Sequence, residues 1–206
     1  MYIRYIKRFL DVLLSGLALI VLALPMLAIA MLIKADDPGP AMFTQRRVGK
    51  GKSYFQLHKF RTMKMSTPHD MPTHLLKNPD QYITRIGGFL RRSSLDELPQ
   101  LWDIFRGKMS IIGPRPALWN QDDLIEERDK YGANDLVPGL TGWAQVNGRD
   151  ELEIVDKARL DGEYAAVVRQ GGMRALLFDC KCFLRTITSV LRSEGVTEGG
   201  TGSLNQ

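Results

Sequence analysis

Two adjacent carboxylates, Asp96 and Glu97, are the residues of this sequence best suited to chemistry. Apolar residues recur at helical spacing directly after them, which predicts an amphipathic helix that ends at Gly107. The carboxylates then lie in or just before its first turn, where free N–H groups and the positive end of the helix dipole favour carboxylates and bound phosphates. A reaction centre is therefore one interpretation. We expect the helix to bury a single stripe, formed by Leu98, Leu101, Trp102 and Phe105.

A structural interpretation of the same pair stays open. The segment from Ser94 to Glu97 fits the S-x-x-E pattern of a capping box, in which the glutamate accepts a hydrogen bond from the N–H of the N-cap residue. Glu97 would then only stabilise the end of the helix. Acidic first turns are common in ordinary helices, so the choice depends on the rest of the chain.

Basic residues on both sides of the pair suit phosphate chemistry. Two predicted strands flank a turn of glycines and lysines, and Lys59 and Arg61 share one face of the second strand. There they could hold a phosphate or form an ordinary solvated edge. Arg115 lies between Pro114 and Pro116, a rigid mount that suits either a bidentate grip on phosphate oxygens or a proline-rich turn with a solvent-facing arginine. A carboxylate can attack a phosphoryl group when cations disperse its charge and Mg²⁺ stabilises the leaving group. The pattern predicts a reaction type and no substrate.

Other kinds of site are not indicated by the sequence. The three histidines, His58, His69 and His74, lack compact metal-ligand spacing. Cys180 and Cys182 are two apart in a helical pattern, which indicates neither a disulfide framework nor a zinc site. Residues 138–149 are rich in glycine and can approach a ligand closely, but they contain neither a P-loop nor a Rossmann motif.

An uncharged run from Val12 to Ile33 predicts a membrane segment, because about 22 residues of helix reach ~33 Å. The run is too long for a typical cleaved signal peptide. Pro25 removes a hydrogen bond near its middle and predicts a kink. Positive charges flank the run on both sides, as in a re-entrant hairpin with both ends at the cytosolic face, while a kinked single-pass helix remains the alternative.

The composition predicts one domain with attachments, since 206 residues with 44% hydrophobic content suffice for one core. We expect an α+β fold, a mainly helical small catalytic domain with a few short strands. The last predicted helix, residues 174–191, is basic and amphipathic, so it either lies on anionic lipid or packs on the domain. The predicted boundaries are residues 1–35 for the membrane helix, 36–193 for the catalytic domain and 194–206 for a flexible tail.

The charge balance narrows the partners only in part. With 28 Lys+Arg against 23 Asp+Glu and a pI near 9.3, the chain suits anionic phosphates, anionic lipids or nucleic acid. Nucleic acid is disfavoured because no aromatic stacking residues are interleaved with the basic stretches. A membrane-anchored scaffold without turnover remains the alternative class, since it would explain the anchor and the basic helix.

Five motifs together closely resemble the bacterial sugar transferases, the monotopic polyprenyl-phosphate phosphoglycosyl transferases. The resemblance covers nearly everything from Ile6 to Leu191 and is specific through the combination of its motifs. The segment between Tyr164 and Asp179 runs longer than the family pattern. The motifs are QRRVG at 45–49, KFRTM at 59–63, LRRSSLDELPQ at 90–100, IGPRP at 112–116 and PGLTGWAQVNGR at 138–149.

The resemblance implies a two-step displacement. Asp96 would attack the β-phosphate of a UDP-sugar, release UMP and carry a phosphosugar that polyprenyl (undecaprenyl) phosphate then accepts. Glu97 would assist at the metal or as a base, and Mg²⁺ would sit at Asp96. Arg91 and Arg115 would hold phosphates, with Lys59, Arg61 and Arg149 as further site cations.

The resemblance also implies a location and a setting. The helix containing Pro25 would be re-entrant, with the enzyme monotopic at the cytoplasmic face of the bacterial inner membrane. The reaction would be the first membrane step of surface-glycan or exopolysaccharide synthesis. Membrane lipid is an implied partner, nucleic acid is not, and a homo-oligomer stays open. Compared with larger relatives, the chain is expected to lack an additional N-terminal membrane bundle or regulatory domain.

Overall fold

The computed structural model describes residues 2–67, 79–148 and 151–192, and the predicted tail lies outside these ranges. A π-helical segment, Tyr2–Lys7, precedes the first α-helix. The helices are α1 Arg8–Val21, α2 Ala23–Asp36, α3 Arg85–Arg92, α4 Gln100–Phe105, α5 Asp122–Asp129, α6 Ile154–Gln170 and α7 Gly172–Arg192. The strands are β1 Met42–Val48, β2 Tyr54–Phe60, β3 Ser110–Ile112 and β4 Gly139–Thr141. Mostly helical with two small sheets, the chain has the α+β character that the sequence predicts.

The apolar N-terminal run forms two helices that meet at a bend of 61°. The break at Leu22 places Pro25 in the first turn of α2, where its missing N–H costs least. The predicted kink is therefore confirmed. Within the described ranges, no single helix has the length and hydropathy to cross a bilayer. The two arms of this bent pair reach that length and hydropathy only when they are taken together.

Helix α1 lies against the domain on its inner side. Asp11 and Ser15 are buried, and an Asp11 carboxylate oxygen accepts a hydrogen bond from the N–H of Ile111 at 2.9 Å. Gly16 faces the ring of Phe105 on α4, and Arg8 donates to the carbonyls at the end of that helix. The outward apolar side chains of α1 and α2 are exposed, among them Phe9, Leu17, Ile20, Leu24 and Leu27.

The predicted strands around the Gly/Lys turn form an antiparallel hairpin in which Arg47 faces Phe55 and Phe43 faces Lys59. Strands β3 and β4 pair in parallel. Their junction requires glycine, because a Cβ on Gly139 would lie 2.1 Å from the backbone nitrogen of Gly113. This close approach fixes the Pro-Arg-Pro segment that follows β3.

The helix after the acidic pair differs from the prediction in which face it buries. It is α4, and it ends before Gly107, whose φ of +80° suits glycine. The side chains it buries are Gln100, Asp103 and Ile104, whereas Trp102 is 45% exposed and Phe105 is 39% exposed. The expected buried stripe is therefore wrong for Trp102 and Phe105, while Leu98 and Leu101 are half-buried and pack against the core. The two aromatic residues belong to the same exposed apolar surface as α1.

The C-terminal half of the fold packs α5, α6 and α7 around buried polar groups. Arg128 on α5 donates two hydrogen bonds to the Asp161 carboxylate on α6, and both residues are buried. Asp179 on α7 accepts from Tyr2, Lys7 and Tyr164, which joins this helix to the N-terminal segment. The opposite face of α7 is exposed and apolar, with Leu177, Leu184 and Ile187.

Adjacent glycines in α3 provide a matched test of how tightly this helix packs on the end of β2. A Cβ on Gly87 would lie 2.0 Å from the carbonyl oxygen of Thr62, whereas one on Gly88 would make ordinary contacts with the flexible end of Arg92 at 3.5 Å and with Ile83 Cγ2 at 3.8 Å. We expect Gly87→Ala to lower the free energy of unfolding by about 1–3 kcal/mol through overpacking. Gly88→Ala should raise it by about 0.5–1 kcal/mol, because alanine favours the helix. Chemical denaturation of both variants checks this, and equal effects would contradict it.

Candidate active site

The acidic pair lies on a tight turn rather than in the first turn of a long helix. Leu95–Glu97 form a 3-10 turn, and Ser94 before it has a left-handed backbone with φ of 56°. The Ser94 side chain makes no capping hydrogen bond, and the Glu97 carboxylate binds Arg115. The capping-box interpretation is therefore wrong for this pair, whose carboxylates are available to the site.

Lys59 lies between the two carboxylates. Its ammonium is 3.9 Å from an Asp96 carboxylate oxygen and 3.8 Å from a Glu97 oxygen. Asp96 is only 7% exposed, and the Lys59 side chain is 22% exposed. The predicted site cation thus lies beside both acids. Its side chain leaves the hairpin on the same face as buried Leu57.

Arg115 holds Glu97 from the other side. Its two terminal nitrogens donate to the two carboxylate oxygens, one of these contacts measuring 3.2 Å, and one nitrogen also donates to the carbonyl of Leu140 at 3.3 Å. The mount is as rigid as the sequence predicts. Gly113 donates from its N–H to Thr141 in β4, and the Pro114 carbonyl accepts from Gly139.

Arg91 approaches the site from α3. Its Nε donates to the hydroxyl of Thr62 at 2.9 Å, and its charge is one of those that act on Asp96. Thr62 follows β2 and is the residue on which Gly87 packs. The close contact of helix and strand therefore positions this cation.

Arg61 is placed differently from the prediction that groups it with Lys59. Its side chain is buried, and its guanidinium binds the Asp37 carboxylate and carbonyl and the carbonyl of Pro40. These contacts tie β2 to the turn after α2. Its role as a site cation stays a prediction, while its contacts here are those of an anchor. Arg149, the remaining predicted cation, lies outside the described residues.

Arg47 belongs to this region and was not among the predicted site residues. It donates to the Pro116 carbonyl at 2.9 Å and to the Gln45 side chain, while its buried Nε has no partner among the residues that the structure describes. Burial, together with the nearby charge of Arg115, lowers the pKa of Arg47 to about 10. Its position opposite the apolar Phe55 in the hairpin is the signal that could have predicted its burial.

The electrostatics of the pair follow from burial. Burial raises the pKa of Asp96 above its ordinary value; the ammonium of Lys59 opposes this, and the Glu97 charge adds to it. Burial likewise lowers the pKa of Lys59, against the attraction of both carboxylates. The site therefore holds an aspartate whose charged form is destabilised and whose proton affinity depends on its neighbours.

The site offers few acidic side chains for binding a metal ion without help from a substrate. No cluster of three or more His, Cys, Asp or Glu side chains with metal-binding geometry occurs among residues 2–67, 79–148 and 151–192. Mg²⁺ is usually bound by one or two carboxylates together with substrate phosphates. Asp96, with Glu97 next to it, suits a Mg²⁺ ion that also binds substrate phosphates. Two carboxylates are too few ligands for a metal that the protein holds by itself.

An apolar cavity of about 190 Å³ opens beside Glu97 and Arg115. Its walls come from α4, the β3–β4 region and α7, and aliphatic and aromatic side chains form most of them. They are Leu98, Leu101, Ile111, Leu140, Val146 and Phe183.

Comparison with known proteins identifies relatives of the whole described fold. The chain is 44% identical over 149 residues to a UDP-glucose:undecaprenyl-phosphate glucose-1-phosphate transferase of Xanthomonas campestris pv. campestris, covering 71% of this chain and 31% of that protein. A Caulobacter vibrioides protein of the same name is 39% identical, over 91% of this chain and 70% of the relative. The exopolysaccharide production protein ExoY of Sinorhizobium fredii is 34% identical, over 92% and 87%.

The Xanthomonas relative and an Escherichia coli (strain K12) protein of the same name, 39% identical over 75% of this chain, are much longer proteins, of which the chain spans about a third (31% and 34%). The family profile described as bacterial sugar transferase matches residues 2–193, which include the acidic pair, its cations and both arms of the bent N-terminal helix pair. This chain belongs to the bacterial sugar transferase family.

Proposed function

We propose that this protein transfers a sugar-1-phosphate from a UDP-sugar to polyprenyl phosphate at the membrane surface. The observation that carries the proposal is the buried Asp96 carboxylate, with Lys59 beside it and Arg91 and Arg115 near it, in a domain seated on an apolar helix pair. The names of the relatives, which are sugar-phosphate transferases for undecaprenyl phosphate, support the same reaction.

In the first step, a carboxylate oxygen of Asp96 attacks the β-phosphorus of the UDP-sugar. The bond from that phosphorus to the bridging oxygen breaks, and UMP leaves with the electron pair. In the second step, an oxygen of polyprenyl phosphate attacks the same phosphorus. The aspartyl oxygen leaves as a carboxylate, and the product is a polyprenyl diphosphate sugar.

The charged side chains around Asp96 have different roles in the proposed reaction. Lys59 stabilises the ionised form of Asp96 that the attack needs. Its ammonium also lies close enough to stabilise the negative charge on the phosphoryl oxygens in the transition state. Arg115 offers a planar pair of donors that matches a phosphate, and in this structure Glu97 occupies them. Bound Mg²⁺, held by Asp96 and the substrate phosphates with Glu97 near it, would supply charge neutralisation for the leaving group.

The bent helix pair supports a re-entrant arrangement at one face of the membrane. The 14 residues of α2 span about 21 Å, and a 61° bend shared equally by both arms places the turn only about 11 Å deep, within one leaflet of a ~30 Å core. Ile20 and Leu24, at the bend, are 76% and 78% exposed. Because α1 is anchored to the domain through Asp11, both arms stay near the surface at which UDP-sugars are found, the cytoplasmic face.

Replacement of Asp96 by asparagine should separate chemistry from folding. We expect Asp96→Asn to lower UMP release by at least about 10³-fold, because the nucleophile is lost. Mg²⁺-dependent UMP release from a panel of UDP-sugars with undecaprenyl phosphate measures this. Asp156→Asn, a surface change on α6, is the matched control. Full activity of Asp96→Asn would exclude Asp96 as the nucleophile, and no turnover of the native protein with any sugar would favour a membrane-anchored scaffold.

The same variant should be at least as stable as the native protein. Burial raises the folded pKa of Asp96 above its unfolded value, so the folded state holds this proton more tightly. The stabilisation by the proton is present below the unfolded pKa and is lost as the pH rises through the folded pKa. At neutral pH the buried charge therefore lowers the free energy of unfolding, and its removal should leave Tm unchanged or raise it. A marked drop in Tm would contradict this.

The rate of the first step should fall at low pH as Asp96 becomes protonated, which gives the pH–rate profile an acid limb. Replacing one or the other charged neighbour of Asp96 should move this limb in opposite directions. Glu97→Gln removes a charge that raises the pKa of Asp96, so the acid limb should move to lower pH. Lys59→Met removes the cation that most lowers this pKa, so the limb should move to higher pH. Single-turnover UMP release measured across pH gives both positions, and a shift of both variants in one direction would contradict the assignment.

A change at the bend tests the membrane arrangement. Pro25→Leu restores an N–H that can bond the Val21 carbonyl, so it favours one continuous helix long enough to span. We expect part of the population to move its N-terminus across the membrane, seen as protection from a reagent confined to the cytosol. Leu24→Ile is the control at the neighbouring exposed position. Unchanged labelling of Pro25→Leu would count against a proline-dependent re-entrant turn.

A further inference from the structure

The proposed phosphate chemistry gives no role to the apolar cavity beside Glu97 and Arg115. One end meets the charged site, where Arg115 and Glu97 contribute to the lining. Phe183, Thr186 and Ser189 of α7, the helix whose outer face is apolar and exposed, also line the cavity. The cavity thus connects the reaction centre with the apolar surface of the molecule.

The walls favour a hydrocarbon over a sugar or a nucleobase. The hydroxyls of Thr141 and Thr186 bond to each other at 2.8 Å, and Thr186 also donates to the Cys182 carbonyl at 2.8 Å. Gln145 Oε1 is the buried wall atom without a partner in the part of the chain that the structure describes. Ser94 and Ser189 add two hydroxyls to the lining and Glu97 and Arg115 add its charged groups, while aliphatic and aromatic side chains form most of the rest. Most hydrogen-bonding groups of a sugar or a base would therefore be unpaired in this pocket, which is costly.

The size of the cavity sets how much of a lipid it can take. An apolar cavity of roughly 150 Å³ is enough to hold a benzene molecule, and this one measures about 190 Å³. One five-carbon isoprene unit fits this volume, while a chain of many units does not. The rest of a long lipid must leave the cavity and follow an apolar surface.

Such a surface is continuous with the cavity on two sides. Phe183 lines the cavity and is 46% exposed, and Leu184 next to it is 63% exposed. Leu98 also lines the cavity and packs in the cluster that contains Met26 and Ile29 of α2. A lipid chain that leaves the cavity therefore remains beside α2, which is proposed to enter the bilayer, and beside the exposed apolar face of α7.

We propose that this cavity binds the isoprene unit adjacent to the phosphate of the acceptor lipid, with that phosphate at Arg115. The inference rests on the proposed function and assigns to it a binding site for the second substrate. The charge of Arg115 complements the phosphate, and the aliphatic walls complement the hydrocarbon. The donor sugar and its nucleotide lie outside the cavity, so blocking the cavity impairs the second step alone.

Bulky side chains at the rim of the cavity test this directly. Ser189→Trp on α7 and Val146→Trp on the facing turn fill the cavity from two different elements. Thr188→Trp is the matched control, because Thr188 is the exposed neighbour of Ser189 and does not line the cavity. We expect both cavity variants to raise KM for farnesyl phosphate and for undecaprenyl phosphate at least tenfold, and the control to change it less than twofold.

The donor step provides the second readout and reports on folding at the same time. The stoichiometric burst of UMP from a UDP-sugar without acceptor should stay within about twofold of the native protein in all three variants. Loss of the burst in the cavity variants alone would assign the cavity to the donor, and an unchanged acceptor KM would show that it holds no part of the lipid; either result overturns the inference. A native protein that releases no UMP overturns the proposed function itself.

Discussion

The placement of two neighbouring carboxylates in a nearly buried site is the constraint on which this structure depends. Such a pair is costly to desolvate unless cations accompany it. Lys59 lies within 4 Å of both acids, and Arg115 binds Glu97. The two cations come from different elements, the hairpin and the Pro-Arg-Pro segment, so the site exists only when these elements are correctly assembled.

The glycines explain how that assembly reaches the required closeness. Gly113 and Gly139 bring two backbones into contact beneath Arg115, and Gly87 brings α3 onto Thr62 beneath Arg91. A Cβ at Gly87 or Gly139 would fall within about 2 Å of a main-chain atom. Distances of this kind leave no room for a side chain, so the positions of the site cations are set by backbone packing rather than by their own flexible side chains.

Local signals in the sequence predict several elements well, and contacts distant in sequence limit the rest. The hairpin, the kink near Pro25 and the helix end at Gly107 follow from turn and breaker residues. The partner of Arg61 is Asp37, 24 residues away, and the burial of Arg47 depends on its register opposite Phe55. Neither relation is visible from the spacing of one segment.

The orientation of α4 shows a different limit. Helical periodicity identifies an apolar face, but it does not say whether protein or lipid covers that face. Trp102 and Phe105 were expected in the core, and the structure exposes them, with Phe105 against Gly16 of α1. The same ambiguity applies to α7, whose apolar stripe is exposed while Ala175, Asp179 and Cys182 are buried on its other side.

The bent N-terminal helix pair and the acidic pair are physically connected through the side chains that flank the carboxylates. Leu95 precedes Asp96 and Leu98 follows Glu97, and both pack in one cluster with Met26 and Ile29 of α2 and with buried Ile33. A turn pinned at both ends by apolar contacts has little freedom to rotate its carboxylates away from Lys59. The helix proposed to enter the membrane is therefore also part of the support that orients the proposed nucleophile. With that helix in a bilayer, the chemistry would lie at the surface where a lipid phosphate arrives.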